Sequence, residues 1–474
     1  MSDIRYVCMS DLHFGEKGSL LTNLSQGGEP DPTQPSPVME QLVTCLRTLL
    51  AGNQNQTTKP TLVLAGDVLE LALTTTNNAA MVFERFIELV MPEDSNQQLF
   101  EKEIVFIPGN HDHHLWEMAR ESQYVEYVKS LKAGTKLPRP YHTTPLFTTP
   151  KVQSYFLTQL IRRHKPCKDV TVRAVYPNYA LLSPDKDRAV VFTHGHFIES
   201  LYILMSTLKT RILPKRVKPK HIWDIEAENF AWIDFFWSTL GRSGEVGKDV
   251  EMVYKRIRTE KGLKRTLGDL AENLAEKDIH TILGNWAETK ILKALFNFAA
   301  DRFSSHERKQ TTKPLSPGAE KGLAEYLEGP LPLQCESEKM KFPEDTAFIF
   351  GHTHKPFEAA MSFNGYNKPV SIFNTGGWVV DEVERRSVIG AAVVLLDDAL
   401  NVASLRMYNE SDNQTGTAVK VGAIKKEGQA NPLDENIANC VKADEDPWRE
   451  FSQRAAKAVS VRADLLKKEI EDDE

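Results

Sequence analysis

The chain has 474 residues, 41% of them hydrophobic and 26% charged, with a formal net charge of −7. That composition excludes wholesale disorder and disfavours a general nucleic-acid binder, while leaving room for a local basic groove. The length calls for one catalytic domain carrying a large insertion, or for two domains.

The N-terminal segment reads directly as a strand and lacks the layout of a secretion signal. No apolar stretch is long enough for a membrane span. A short apolar run at 6–9 leads into Ser10-Asp11-Leu12-His13, and a helical pattern follows at 38–50. The run 62–65 ends in Gly66-Asp67, with a second helical pattern at 79–90. The run 104–107 enters Pro108-Gly109-Asn110-His111-Asp112, and 190–192 enters Thr193-His194-Gly195-His196. Residues 197–343 break this rhythm with helix-like segments at 250–258, 267–275 and 289–299. Strand character returns at 348–350, followed by Gly351-His352-Thr353-His354, and again at 370–373, 388–396 and 402–408. Segments 25–37, 308–318 and 409–436 read as loops, and 449–474 as a helix with a solvated, acidic end. The expected organisation is a catalytic domain at 1–196 and 344–410, a helical insertion or cap at 197–343, and a polar linker with a C-terminal helix at 411–474.

Short buried strands alternating with helices imply an α/β sheet covered on its faces. In such sheets functional residues gather beyond the carboxyl ends of the strands, where all five polar clusters fall. Eight of the thirteen histidines (His13, His111, His113, His114, His194, His196, His352 and His354) sit in these clusters beside Asp11, Asp67 and Asn110. A lone histidine is usually structural, and eight in this arrangement point to metal. Imidazole, carboxylate and amide donors without thiolate suit manganese, iron, zinc, nickel or cobalt. The five cysteines are scattered and form no CxxC, so neither a disulfide framework nor a thiolate site is expected.

In Asp11-x-His13 and His352-x-His354, strand alternation would turn both side chains to one side. Two ions about 3.5–4 Å apart can clamp a phosphoryl group, and a carboxylate such as Asp67 suits the bridge. Of the adjacent His113 and His114, at most one is expected to face the site. His196 is placed in the outer shell, and Lys355 is read as an exposed lysine. The basic run Arg211, Lys215, Arg216, Lys218 and Lys220 reads as solvated, with anionic substrate or lipid headgroups as the other reading. The aromatics Phe230, Trp232, Phe235, Phe236 and Trp237 read as core, with a pocket wall for an acyl chain as the minority view.

The series Asp11-x-His13, Gly66-Asp67, Gly109-Asn110-His111-Asp112, His194 and Gly351-His352-x-His354 resembles the calcineurin-like metallophosphoesterase superfamily. The resemblance implies a four-layer α/β/β/α sandwich of two mixed β-sheets, here with a large helical insertion. It implies that Asp11, His13 and His354 hold one divalent ion and that Asn110, His194 and His352 hold the other, with Asp67 bridging. Manganese heads the candidate metals. His111 matches the family's catalytic histidine, which protonates the leaving oxygen, and Glu70 falls where many members orient that histidine with aspartate. Asp112 is carried as a third catalytic candidate beside His111 and Glu70, more suited to supporting the loop than to moving a proton. The implied reaction is hydrolysis of a phosphate ester or pyrophosphate by in-line attack of a metal-bridging hydroxide. The segments around Asp67, His194 and His352 are also similar to the UDP-2,3-diacylglucosamine pyrophosphatases, which cut a lipid precursor. A general phosphodiesterase or phosphomonoesterase fits the same residues, a nuclease is a further alternative, and a non-enzymatic scaffold is disfavoured because every ligand position is filled. A cytoplasmic location is expected, with peripheral membrane contact left open.

Overall fold

A computed structural model describes residues 2–148, 151–199, 202–212, 215–234, 238, 313–410, 419–424 and 431–473. The strands are β1 (Ile4–Met9), β2 (Thr22–Leu24), β3 (Pro30–Pro35), β4 (Thr61–Leu64), β5 (Glu103–Phe106), β6 (Val152–Gln153), β7 (Thr171–Ala174), β8 (Asn178–Leu182), β9 (Arg188–Thr193), β10 (Asp345–Phe350), β11 (Phe357–Met361), β12 (Val370–Asn374), β13 (Gly390–Asp397), β14 (Val402–Asn409) and β15 (Lys420–Gly422). The α-helices are α1 (Pro37–Leu50), α2 (Thr76–Val90), α3 (His113–Lys129), α4 (Tyr155–Arg162), α5 (Leu204–Ile212), α6 (Ile222–Ile233), α7 (Pro317–Glu328), α8 (Pro330–Ser337), α9 (Pro432–Cys440) and α10 (Trp448–Asp473).

Two mixed sheets stack face to face. One runs β15-β14-β13-β1-β4-β5-β7-β6 and the other β11-β12-β10-β9-β8. The pleat sorts the apolar side chains into three cores. Cys8, Val63 and Val105 join Val190, Phe192, Ala347 and Ile349 between the sheets. Their neighbours Val7, Met9, Leu62, Leu64, Ile104 and Phe106 turn outward under α1, α2 and α4. Val191, Phe348 and Phe350 turn to the opposite outer face, under α7 and α8. The result is the four-layer α/β/β/α sandwich.

Helix α1 shows how the local sequence builds a layer. Ser36 Oγ accepts the Met39 N–H at 3.0 Å, Pro37 fills the first turn, and Val38, Leu42, Cys45, Leu46 and Leu49 bury one stripe.

Several expectations need correction. The proline-rich stretch 25–37 contains β3, paired antiparallel with β2 in a two-stranded ribbon whose outer edge needs no proline N–H. The stretch 308–318 ends inside α7, capped by Ser316 Oγ on Ala319 N at 3.1 Å. The stretch 409–436 contains β15 and the start of α9. The expected helical segments 250–258, 267–275 and 289–299 lie outside the described residues.

The terminal helix is not simply a solvated face. Phe451, Ala455, Val459 and Ala463, spaced by four, are buried in the core beside α1. Phe451 meets Trp378 edge-on, with ring centroids 6.3 Å apart. On the same buried face of α10, Arg462 donates to the Ser19 and Thr22 carbonyls at 2.8 and 2.6 Å. Phe451→Ala is expected to destabilise the whole domain by about 3–5 kcal/mol. A matching drop in the global urea midpoint would establish it, and an unchanged midpoint would show that α10 is a detachable appendage.

Candidate metal centre

The polar clusters converge because their strands are neighbours. β1, β4 and β5 are consecutive and parallel, as are β9 and β10 in the second sheet. Beyond the strand ends, the loops continue to pair. Asp11 N–H donates to Gly66 O and His13 N–H to Asp67 O, both at 2.9 Å, and Gly351 N–H donates to His194 O at 2.9 Å.

The ligand residues do not use strand alternation. Asp11, His13, Asp67, His352 and His354 all have positive φ, between 45° and 67°. Left-handed turns past the strand ends, rather than the pleat, bring Asp-x-His and His-x-His side chains together. Glycines make room for them. A Cβ on Gly66, itself at φ 94°, would strike the His194 ring, and one on Gly109 would strike the Asp67 carboxylate.

Two donor sets result. Single donor atoms of Asp11, His13 and His354 lie within 4.8 Å of one another, as do those of Asp67, His194 and His352. Asp67 Oδ2 lies between the sets, 3.2 Å from His194 Nε2 and 3.9 Å from His13 Nε2. Asn110 Oδ1 is 3.0 Å from His194 Nε2, and His354 Nε2 is 3.4 Å from Asp11 Oδ1. His13 Nε2 is buried without a hydrogen-bond partner. A buried, unpartnered imidazole nitrogen among carboxylates suits a divalent cation.

Glu70 has a larger role than its sequence position indicated. Its carboxylate accepts from His111 Nδ1 and His13 Nδ1, each at 2.8 Å, and from the Ala72 and Leu73 N–H groups at 2.8 Å. The extra methylene relative to aspartate lets one fully buried carboxylate hold two imidazoles. Asp112 accepts from Gly109 N, Val68 N and Leu69 N at 2.7, 2.8 and 3.4 Å, so its oxygens are turned to backbone. Burial, aided by the Asp67 charge, pushes the Asp112 carboxyl up to about 7.

His196 is buried behind His194, with Nε2 3.2 Å from the Tyr176 hydroxyl. Lys355 is 1% exposed, against the expectation of an exposed lysine. His113 and His114 both turn to Asp234 rather than to the two donor sets. Phe230 is buried in the core, Trp232 packs against the second core, and residues 235–237 lie outside the described residues.

Three carboxylates beside the centre carry no sequence motif. Asp381 Oδ2 meets His354 Nδ1 at 2.5 Å, Glu16 Oε2 lies 3.3 Å from His13 Nδ1, and Glu199 Oε1 lies 3.3 Å from His352 Nε2. A carboxylate behind a ligating histidine fixes its tautomer and ring orientation.

Residues 4–235 match the family model described as calcineurin-like phosphoesterase. Over these residues the chain is similar to this family, whose chemistry is metal-dependent hydrolysis of phosphoesters. The match takes in Asp11, His13, Asp67, Asn110, His111 and His194, while His352 and His354 enter from β10 beyond it. No curated protein matches the chain.

Burial alone would lower His13 and His194, but neighbouring carboxylates outweigh it. Glu70 leads the effect at His13, raising it to about 10, and Asp67 leads it at His194, raising it to about 9. A cation binds the neutral imidazole, so below these values metal must displace protons. Apparent metal affinity is expected to rise with pH until about 10. Addition of metal to the metal-free protein in weak buffer at neutral pH should release protons, and a pH-stat trace with no release would contradict this charge assignment.

Proposed function

We propose that this chain is a binuclear phosphoesterase that hydrolyses a phosphate ester or pyrophosphate in one in-line step, with no covalent enzyme intermediate. The observation that carries this reading is the position of Asp67 Oδ2 between the His13 and His194 imidazoles. Asp11, His13 and His354 would hold one ion, and Asn110, His194 and His352 the other, with Asp67 shared. The ions when bound would supply Lewis acidity that acidifies water and offsets phosphoryl charge. Manganese is the first candidate, and iron, zinc, nickel and cobalt suit the same donors.

The protein's own residues supply orientation and a proton. With Nδ1 of His111 donating to Glu70, its chemistry falls to Nε2, which would protonate the leaving oxygen. Glu70 positions His111 and His13 together. Asp112 braces the backbone between Val68 and Gly109, and it is not proposed as a proton carrier. Ala65 O, 3.2 Å from His194 Nδ1, and Asp381 orient two further ligands.

Substrate class is read from the cap. Lys215, Arg216 and Lys218 are exposed around Val217, which is 79% exposed. An apolar side chain held out among cations favours a phosphate substrate presented at a lipid or detergent surface, such as a lipid-linked pyrophosphate. Among the described residues no helix is long and apolar enough to cross a membrane, so such contact would be peripheral. A soluble phosphodiester or phosphomonoester is the second reading, and a nuclease the third.

Asp67→Ala is expected to lose metal and turnover together. His111→Ala should keep its metal content while turnover falls about 10²–10⁴-fold, most for poor leaving groups. Equal losses across aryl phosphodiesters of different leaving-group acidity would remove the acid role from His111. A panel of mono- and diesters, nucleotide pyrophosphates, DNA and detergent-dispersed lipid pyrophosphate sorts the substrate classes. Nuclease activity would show steep salt dependence.

A further inference from the structure

Away from the paired donor sets, the start of α3 and the end of α6 bring three more donor side chains together, with a fourth, His113, beside them. His114 and Glu117 are one turn apart on α3, and Asp234 caps the end of α6. His114 Nδ1 lies 3.0 Å from Glu117 Oε2 and 3.4 Å from Asp234 Oδ1. Single donor atoms of these three residues lie within 4.8 Å of one another.

His113 supplies an independent observation. It is fully buried, its Nδ1 lies 3.7 Å from the same Asp234 oxygen, and neither ring nitrogen has a hydrogen-bond partner. Its ring meets Tyr176 and Phe230 edge-on, at centroid distances of 5.3 and 4.8 Å. Buried polar groups are almost always partnered. His113 thus stands unpartnered against one of the two carboxylates that flank His114, and a divalent cation held by His114, Glu117 and Asp234 supplies their counter-charge without placing a proton on either imidazole.

The spacing suits a small ion. Four-coordinate zinc with bonds of about 2.0–2.1 Å sets its donors roughly 3.3 Å apart, and His114 lies 3.0 and 3.4 Å from its two carboxylate partners. Two carboxylates balance a divalent charge, and one neutral imidazole with a solvent oxygen would complete four-coordination.

We propose that His114, Glu117 and Asp234 form a third cation site for a zinc-type divalent ion, with His113 packed against Asp234. This site is separate from the paired centre and ties the insertion to the catalytic loop. α3 begins two residues beyond His111, and Ser238 Oγ accepts the His114 N–H at 2.8 Å across the same junction. An ion here fixes the end of α6 over the loop that carries Asn110 and His111.

The test is metal content per chain, measured on full-length protein equilibrated with zinc and then freed of loose metal by gel filtration. Wild type should carry one equivalent more than Glu117→Gln and one more than Asp234→Asn. Glu117 is partly exposed, so its glutamine variant should keep the fold, as judged by circular dichroism. With cobalt as the probe, the wild-type minus Glu117→Gln difference spectrum should show the intense visible bands of a four-coordinate ion. Equal metal content in wild type and both folded variants overturns the site, as does a difference spectrum without those bands. The readout is a difference of one equivalent, so it stands or falls separately from the two-ion reading of the main centre.

Discussion

Asp11, Asp67 and Glu70 are at most 2% exposed, and they crowd three carboxylates into a volume shielded from water. Isolated charges there would be prohibitive. The surrounding architecture supplies the compensation: imidazoles from four loops, backbone N–H groups from the turns after β4, β5 and β10, and glycines that let the turns approach. His352 N–H donates to both Asp11 oxygens at 3.0 Å, and His111 N–H donates to Asp67 Oδ1 at 2.8 Å. The adjacency of β1, β4 and β5, and of β9 and β10, is what allows the loops to share this burden.

The compensation also makes the centre a unit. Glu70 touches His13, from the Asp11 donor set, and His111, the proposed acid. Holding the proton donor and a metal ligand with one carboxylate links the orientation of each to the other. Replacing it perturbs both sides of the chemistry, so its effects will not partition between binding and proton transfer.

The motif-bearing residues were legible in the sequence because each follows a short apolar run, and the runs are strands. How they converge was not legible. Strand alternation accounts for neither Asp11 and His13 nor His352 and His354, since all four sit in left-handed turns set by neighbouring loops. Asp381, Glu16 and Glu199 were missed because their proximity to His354, His13 and His352 is purely tertiary. Glu70 was flagged, but one residue type at one position could not reveal that it reaches two rings. The burial of α10 was hidden for a different reason. Its apolar residues are single, small and spaced by four among many charges, and only the partner surface on α1 and Trp378 distinguishes a docked face from a solvated one. Lys355 shows the converse, where a charged residue type argued for exposure and the fold buried it.

The left-handed ligands carry a further implication. For residues other than glycine this backbone region costs on the order of 1–2 kcal/mol each relative to the right-handed basin, somewhat less for aspartate. Five such positions in one centre amount to conformational tension concentrated where the chemistry is expected. Without metal, that tension has nothing but hydrogen bonds to offset it. Selection for a tougher apo-protein would therefore drift toward glycine or asparagine at these turns, and the sturdiest variants would be those that had given up grip on the ions.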